Sequence, residues 1–315
     1  MAVSQRIGVG GDAAADLVRR RLHGGGVDRA GFVFRLLLLT SLALSIGVLA
    51  VLVVDVVSGG WGVLSTRLAD FLSGTLRSRP EEAGVAQGLR GSVWIGVFVV
   101  VLAFPIGIGA AVYLEEYARR GRFTRFITIN VRNLAGVPSI VYGILGFAIF
   151  VKTLGGATGG RTVAAAGITL AVLVLPIVII TSSEAIRAVP DSLREAGFGV
   201  GATRWEVVRH HVLPYAAPGI LTGTVLSLAR ALGEAAPLIL VGAVTGRLGA
   251  ETSMFDLSQL QERFTAMPIV ITTWAGRPQA GFRALTAAAI VVLLVVVLLA
   301  NTAAIVLRNR YEKKR

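Results

Sequence analysis

Apolar residues along this chain gather into runs too long for the interior of a soluble domain. A hydrocarbon layer about 30 Å thick is crossed by roughly 20 helical residues, and Ala284–Leu307 meets that length without one charged side chain. The same pattern predicts six spans, near 32–57, 92–114, 131–151, 162–182, 215–244 and 284–307. Gly and Pro interrupt the third and fourth, which helices in a bilayer tolerate. Gly233 and Pro237 fall inside the long fifth span and predict a kink or a split there. The expected fold class is an all-α integral membrane protein with six transmembrane helices.

Orientation follows from the basic residues. The segments 1–35, 115–130, 183–214 and 308–315 hold nineteen Lys and Arg, whereas the alternate segments 58–91, 152–161 and 246–283 hold ten. Lys and Arg near span ends resist export, so both termini are expected in the cytoplasm. The organisation that results is a basic N-terminal segment 1–31, a first span 32–57, an external loop 58–91, a core 92–307 and a basic tail 308–315. The core carries a cytoplasmic loop 184–214 and an external loop 246–283. In the latter, Met254–Trp274 is apolar-rich, interrupted by Pro268, and suits an amphipathic or re-entrant segment.

Composition agrees with the pattern and removes several chemistries. Of 315 residues 54% are hydrophobic and only 16% charged, against about 25% charged in soluble domains. There is no cysteine, so disulfides, thiolate nucleophiles and Cys-ligated metals are excluded. The three histidines, His23, His210 and His211, match no metal-ligand spacing. The net charge of +13 would suggest nucleic acid in a soluble protein; here arginines that anchor span ends account for it. Arg19–Arg21 before the first apolar run mimic a signal peptide, but the run exceeds the usual apolar region and reads as an uncleaved span.

The cytoplasmic loop Ala188–Pro214 is written as two short capped helices. Ser192 precedes Glu195 by three residues and Thr203 precedes Glu206 by three, the spacing of capping boxes. Pro190 ends any helix entering from the fourth span, Gly199 and Gly201 separate the two helices, and Pro214 is expected to limit the second. Arg187, Arg194, Arg204 and Arg209 balance Glu184, Asp191, Glu195 and Glu206, unlike a polybasic lipid-binding loop. With Leu193, Phe198 and Trp205 expected to be exposed, the elbow reads either as a protein socket or as an ordinary linker.

The segment resembles the EAA motif of bacterial ABC importer permeases, E-A-A-x3-G-x9-I-x-L-P. Glu195, Ala196, Gly201, Leu213 and Pro214 stand at the matching positions, with Gly197 at the third and His211 in place of the aliphatic residue. Three further stretches are similar to phosphate importer permeases: Asn133–Gly143, with Pro138 and Tyr142; Leu228–Leu238, with Pro237; and Thr265–Ala275. Their order resembles the PstA family more than its PstC partner family. The resemblance implies a type I importer permease fold and coupling helices, here Ser192 to Pro214, that dock on a cytoplasmic ATPase. It further implies a homologous permease PstC, an ATPase PstB dimer holding ATP and Mg, an external phosphate-binding protein PstS, and inorganic phosphate as substrate. The chain's three lysines, Lys152, Lys313 and Lys314, stand in no P-loop, so ATP hydrolysis would belong to that partner and no cofactor to this chain.

Arg230 and Glu234, four residues apart in the fifth span, are read as sharing one helix face. A charge in the bilayer costs at least about 2.5–3.5 kcal/mol and normally meets a partner or an aqueous path. A planar guanidinium suits a tetrahedral oxyanion, so the pair either lines a substrate path or ties the span to its neighbours. Arg132 is expected to snorkel to an interface. The expected function is the permease half of an ATP-driven phosphate importer in the bacterial inner membrane. A permease for sulfate or molybdate, and an ATP-independent secondary transporter, are the other readings.

Overall fold

A computed structural model describes residues 29–119, 121–245 and 262–312. Among these residues the chain is helical, with turns and no strand. It divides into two units, residues 1–55 and 56–315. The first helix, α1 (Arg29–Ser73), starts in the first unit. Within that unit the consecutive Leu36, Leu37, Leu38 and Leu39 are all more than half exposed. Four successive positions cover every face of a helix, so this segment is apolar all round, as a lipid-embedded span is.

The second unit begins with the rest of α1, whose helical geometry breaks at Arg67 (φ −142°, ψ 37°). It continues through α2 (Ala86–Tyr117), α3 (Arg122–Ala135), α4 (Ser139–Thr153), α5 (Val163–Arg187), α6 (Asp191–Gly199), α7 (Arg204–Gly233), α8 (Ala236–Val241), α9 (Met267–Ala275) and α10 (Ala280–Glu312). At the centre stands α5. Its Ala165, Ala166, Leu170, Val174 and Val178 are completely enclosed by neighbouring helices. Thr162 starts it by accepting the Ala165 amide at 3.4 Å. Elsewhere α1 and α10 meet backbone to backbone: a methyl group at Gly60 would stand 2.7 Å from the Ala288 nitrogen. Phe71, Trp274 and Phe282 close the core beside that crossing, with ring centroids 6.4 and 5.8 Å apart.

Five of the described helices are long and apolar enough to cross a membrane, or six if the bent pair α3–α4 is one span. That pair corrects the third expected span. Residues 131–151 are not one helix, because the chain turns by 100° between Ala135 and Ser139. Pro138 (φ −55°, ψ 137°) has no amide to continue α3 and holds the extended geometry from which α4 starts. The fifth span is split, as Gly233 and Pro237 suggested: α7 ends at Gly233, and Pro237 lies in the first turn of α8. Pro268 likewise begins α9 rather than interrupting a segment. Met254, where that apolar stretch was expected to start, lies outside the described residues.

Candidate functional site

The elbow consists of α6, a turn and the start of α7. Of its two expected capping boxes one forms. Thr203 donates its amide to Glu206 Oε2 at 2.7 Å, and the Glu206 amide donates to Thr203 Oγ1 at 3.4 Å. The Thr203 amide, and next its hydroxyl, which donates to the same Glu206 oxygen at 2.8 Å, hold the Glu206 carboxyl below its ordinary value. A lowered carboxyl favours this cap at all pH above the ordinary value, and the cap is lost only as pH falls through the lowered one. The Ser192 box does not form. Proline at 190 acts as the cap position, so α6 starts at Asp191 and Ser192 falls inside its first turn, where no side-chain cap bond is made.

Gly201 carries the turn with φ +84°, a left-handed conformation that costs most side-chain-bearing residues about 1–2 kcal/mol. Gly197 lets the two elbow helices touch: a methyl there would lie 2.8 Å from Val207 Cγ2 and 3.5 Å from His211 Cδ2. The two departures from the EAA pattern therefore face each other. Glu195 and Ala196 are exposed on the outer side of α6. Leu193, expected to be exposed, instead packs with Leu213 against a core of Ile186, Val189, Val207 and Val212. The apolar side chains presented outward are Phe198, Val200 and Trp205, and Val200 is 85% exposed.

Pro214 does not limit the second helix. A π-turn, Val208–Val212, precedes it, and α7 runs on to Gly233. The wider turn accommodates the proline ring and its missing amide without ending the helix. The elbow and Arg230 thus stand on one continuous helix, separated by 26 residues or roughly 39 Å of helical rise between Arg204 and Arg230.

Two carboxylates missing from the sequence reading tie α2 to the elbow and to the end of α5 that leads into it. Arg194 donates to Glu116 Oε1 at 2.8 and 3.1 Å, to the Ile186 and Val189 carbonyls at 3.0 and 2.7 Å, and to Asp191 Oδ1 at 3.0 Å. Glu116 is buried. Beside it Arg187 grips Glu115 through both oxygens at 2.6 and 3.2 Å. Glu115 and Glu116 occupy the last turn of a helix, where the dipole disfavours anions. That mismatch in Leu-Glu-Glu-Tyr was the available signal that basic partners must come from elsewhere.

The second group of predicted residues gathers at the breaks in α3–α4 and α7–α8. Arg230 Nε lies 3.4 Å from Glu234 Oε1. The pair does not share a helix face, because Glu234 has left α7 in an extended conformation (φ −79°, ψ 120°). Arg230 remains nearly half exposed. Tyr142 is buried and donates its hydroxyl to the Leu134 carbonyl at 2.9 Å, bridging the 100° turn. Gly143 lies directly beneath Pro237, whose Cα would stand 2.7 Å from any added methyl. Tyr142, Gly143, Pro237, Arg230 and Glu234 are thereby brought into one neighbourhood. Asn133 is exposed near the end of α3, where its carbonyl accepts the Gly136 amide.

Residues 103–313 match the family described as binding-protein-dependent transport system inner membrane component. The phosphate transport system permease protein PstA 1 of Mycobacterium tuberculosis (strain CDC 1551 / Oshkosh) is 37% identical over 231 residues, 72% of each chain. The permease protein PstC 2 of Mycobacterium bovis is 34% identical over 213 residues, 60% of this chain and 65% of that one. In fold, a chain of a bacterial alginate ABC transporter superposes with a TM-score of 0.60 over 92% of this chain and 94% of its own, at 14% identity. By the extent of the family match and of the PstA 1 likeness, the chain belongs to the binding-protein-dependent transport system inner membrane components and has the type I ABC importer permease fold.

Proposed function

We propose that this chain is one of two permease subunits of an ATP-driven inorganic phosphate importer. The observation that carries this reading is Arg230, a half-exposed guanidinium set at a helix break within the membrane segment. Its planar fork can offer two parallel hydrogen bonds to a phosphate oxygen pair, while Glu234 balances the charge when the path is empty. The likeness to PstA 1 and PstC 2 supports a PstC-type partner across the path. A PstB-type ATPase pair then docks on the elbow, and a PstS-type binding protein delivers phosphate outside. ATP and Mg bind the ATPase; the permease itself forms and breaks no covalent bond.

The mechanical link is α7. ATPase closure displaces the elbow through Phe198, Val200 and Trp205, and the continuous helix transmits the displacement to Arg230. Gly201→Asp should therefore abolish co-purification of the ATPase with the permease, by straining the left-handed turn and adding charge to the docking face. Glu195→Ala should weaken co-purification while leaving thermal unfolding of the membrane core unchanged, since Glu195 is exposed. Normal retention of the ATPase together with normal uptake in both variants contradicts the docking role.

In this reading both termini and the elbow are cytoplasmic, and the α9–α10 connection is outside. The native chain has no cysteine, so one introduced at exposed Gln279 reports cleanly. A membrane-impermeant thiol reagent should label Gln279→Cys in intact cells and Gly199→Cys only after permeabilisation. The reverse pattern inverts the topology.

A further inference from the structure

We propose that α3 lies along the membrane surface and binds the headgroups of anionic phospholipids through Arg122, Arg125 and Arg132. Three observations converge on this helix. It is bent by 100° from α4, so where α4 enters the bilayer α3 runs along its face. It has no buried residue: Ile127, Thr128 and Val131 are half-buried, while Phe123, Phe126 and Ile129 at three-residue steps are 74%, 63% and 46% exposed. Arg122 and Arg125 are exposed with that outer face, and Arg132, two turns beyond Arg125, is exposed at its edge, where it also borders a cleft lined by Glu115, Glu184 and Arg187. None of them has an ion pair among the described residues, and residues 118–135 contain no Asp or Glu.

A helix with aromatic and arginine side chains on the same exposed face suits the headgroup boundary. There the rings enter the acyl region and the guanidinium groups reach back to phosphate. A protein partner fits less well, because covering this face would desolvate three arginines that need three acceptors. A layer of anionic headgroups supplies those acceptors without desolvating the charges.

The test uses the full chain carrying Asn130→Cys, an exposed position on this face, labelled with a fluorescent donor. The protein is reconstituted in phosphatidylcholine vesicles containing phosphatidylglycerol as the minor lipid. Energy transfer is compared between acyl-tagged phosphatidylglycerol and acyl-tagged phosphatidylcholine at equal amounts. Anionic acceptor should be enriched about fivefold near the label, the attraction expected for one basic residue at an acidic surface, and more where the arginines act together. Enrichment should disappear in the Arg122→Gln, Arg125→Gln, Arg132→Gln triple variant, fall in high salt, and persist in the corresponding triple Lys variant. Equal transfer from the two lipids in the wild-type chain, or enrichment unchanged in the triple Gln variant, overturns the proposal. So does loss of transfer from both lipids when the second permease is co-reconstituted, since a protein then covers the face.

Discussion

Arg230→Gln is expected to reduce phosphate uptake by about tenfold to a hundredfold, the loss of a hydrogen bond pair to a charged group. Arg230→Lys should fail almost as badly, because an ammonium preserves charge but not the planar fork. The geometry sharpens this contrast. Arg230 meets Glu234 through Nε at 3.4 Å and is still nearly half exposed, so Glu234 does not occupy the whole guanidinium. A purely structural pair would behave otherwise. Lys would retain much of the uptake, and the double change Arg230→Gln with Glu234→Gln would restore it by leaving no buried charge unpaired. Uptake would be measured in cells lacking other phosphate importers, with membrane abundance of each variant measured alongside. Recovery by the double neutral variant removes Arg230 from the path.

The other large effect is expected at Arg194. Arg194→Ala leaves Glu116 buried without its cation and takes a donor from the Ile186 and Val189 carbonyls, a defect worth about 3–5 kcal/mol. Exchanging the charges, Arg194→Glu with Glu116→Arg, should not repair it, since a carboxylate cannot donate to the carbonyls of Ile186 and Val189. The neighbouring pair offers an internal comparison. Arg187 is 57% exposed and bonds no backbone carbonyl, and Glu115 keeps 18% exposure against 8% for Glu116, so Arg187→Ala should cost clearly less than Arg194→Ala. Hydrogen exchange across residues 186–200, with co-purification of the ATPase, separates the two cases. Equal effects of Arg194→Ala and Arg187→Ala contradict the role of Arg194 as the pin of the elbow.

Much of the membrane architecture was legible as apolar run length, because crossing a bilayer imposes a minimum helix that the chain must write locally. Thr203 and Glu206 were legible for the same reason, as a cap made within one turn. What escaped was decided across the fold. Glu116 and Arg194 lie 78 residues apart, and no local period connects them. The proline at 214 reads as a helix stop, yet a π-turn absorbs it. In contrast, Pro138 does end a helix, because the Gly136–Pro138 turn is held by the Tyr142 hydroxyl on the Leu134 carbonyl. Ser192 has the spacing of a cap, but with Pro190 at the cap position the helix starts two residues earlier. Arg230 and Glu234 were found by their charge alone; that the chain breaks between them was visible only as Gly233 and Pro237 nearby.

Reconstituted uptake addresses the transport function most directly. The permease would be placed in proteoliposomes with its PstC-type partner and PstB-type ATPase, and a PstS-type binding protein with radiolabelled phosphate supplied at the outward face. Phosphate should accumulate only when ATP and Mg are present at the elbow face and the binding protein at the other, and excess sulfate should not compete. Accumulation without ATP, or transport of sulfate or molybdate in place of phosphate, would contradict a phosphate importer driven through the elbow.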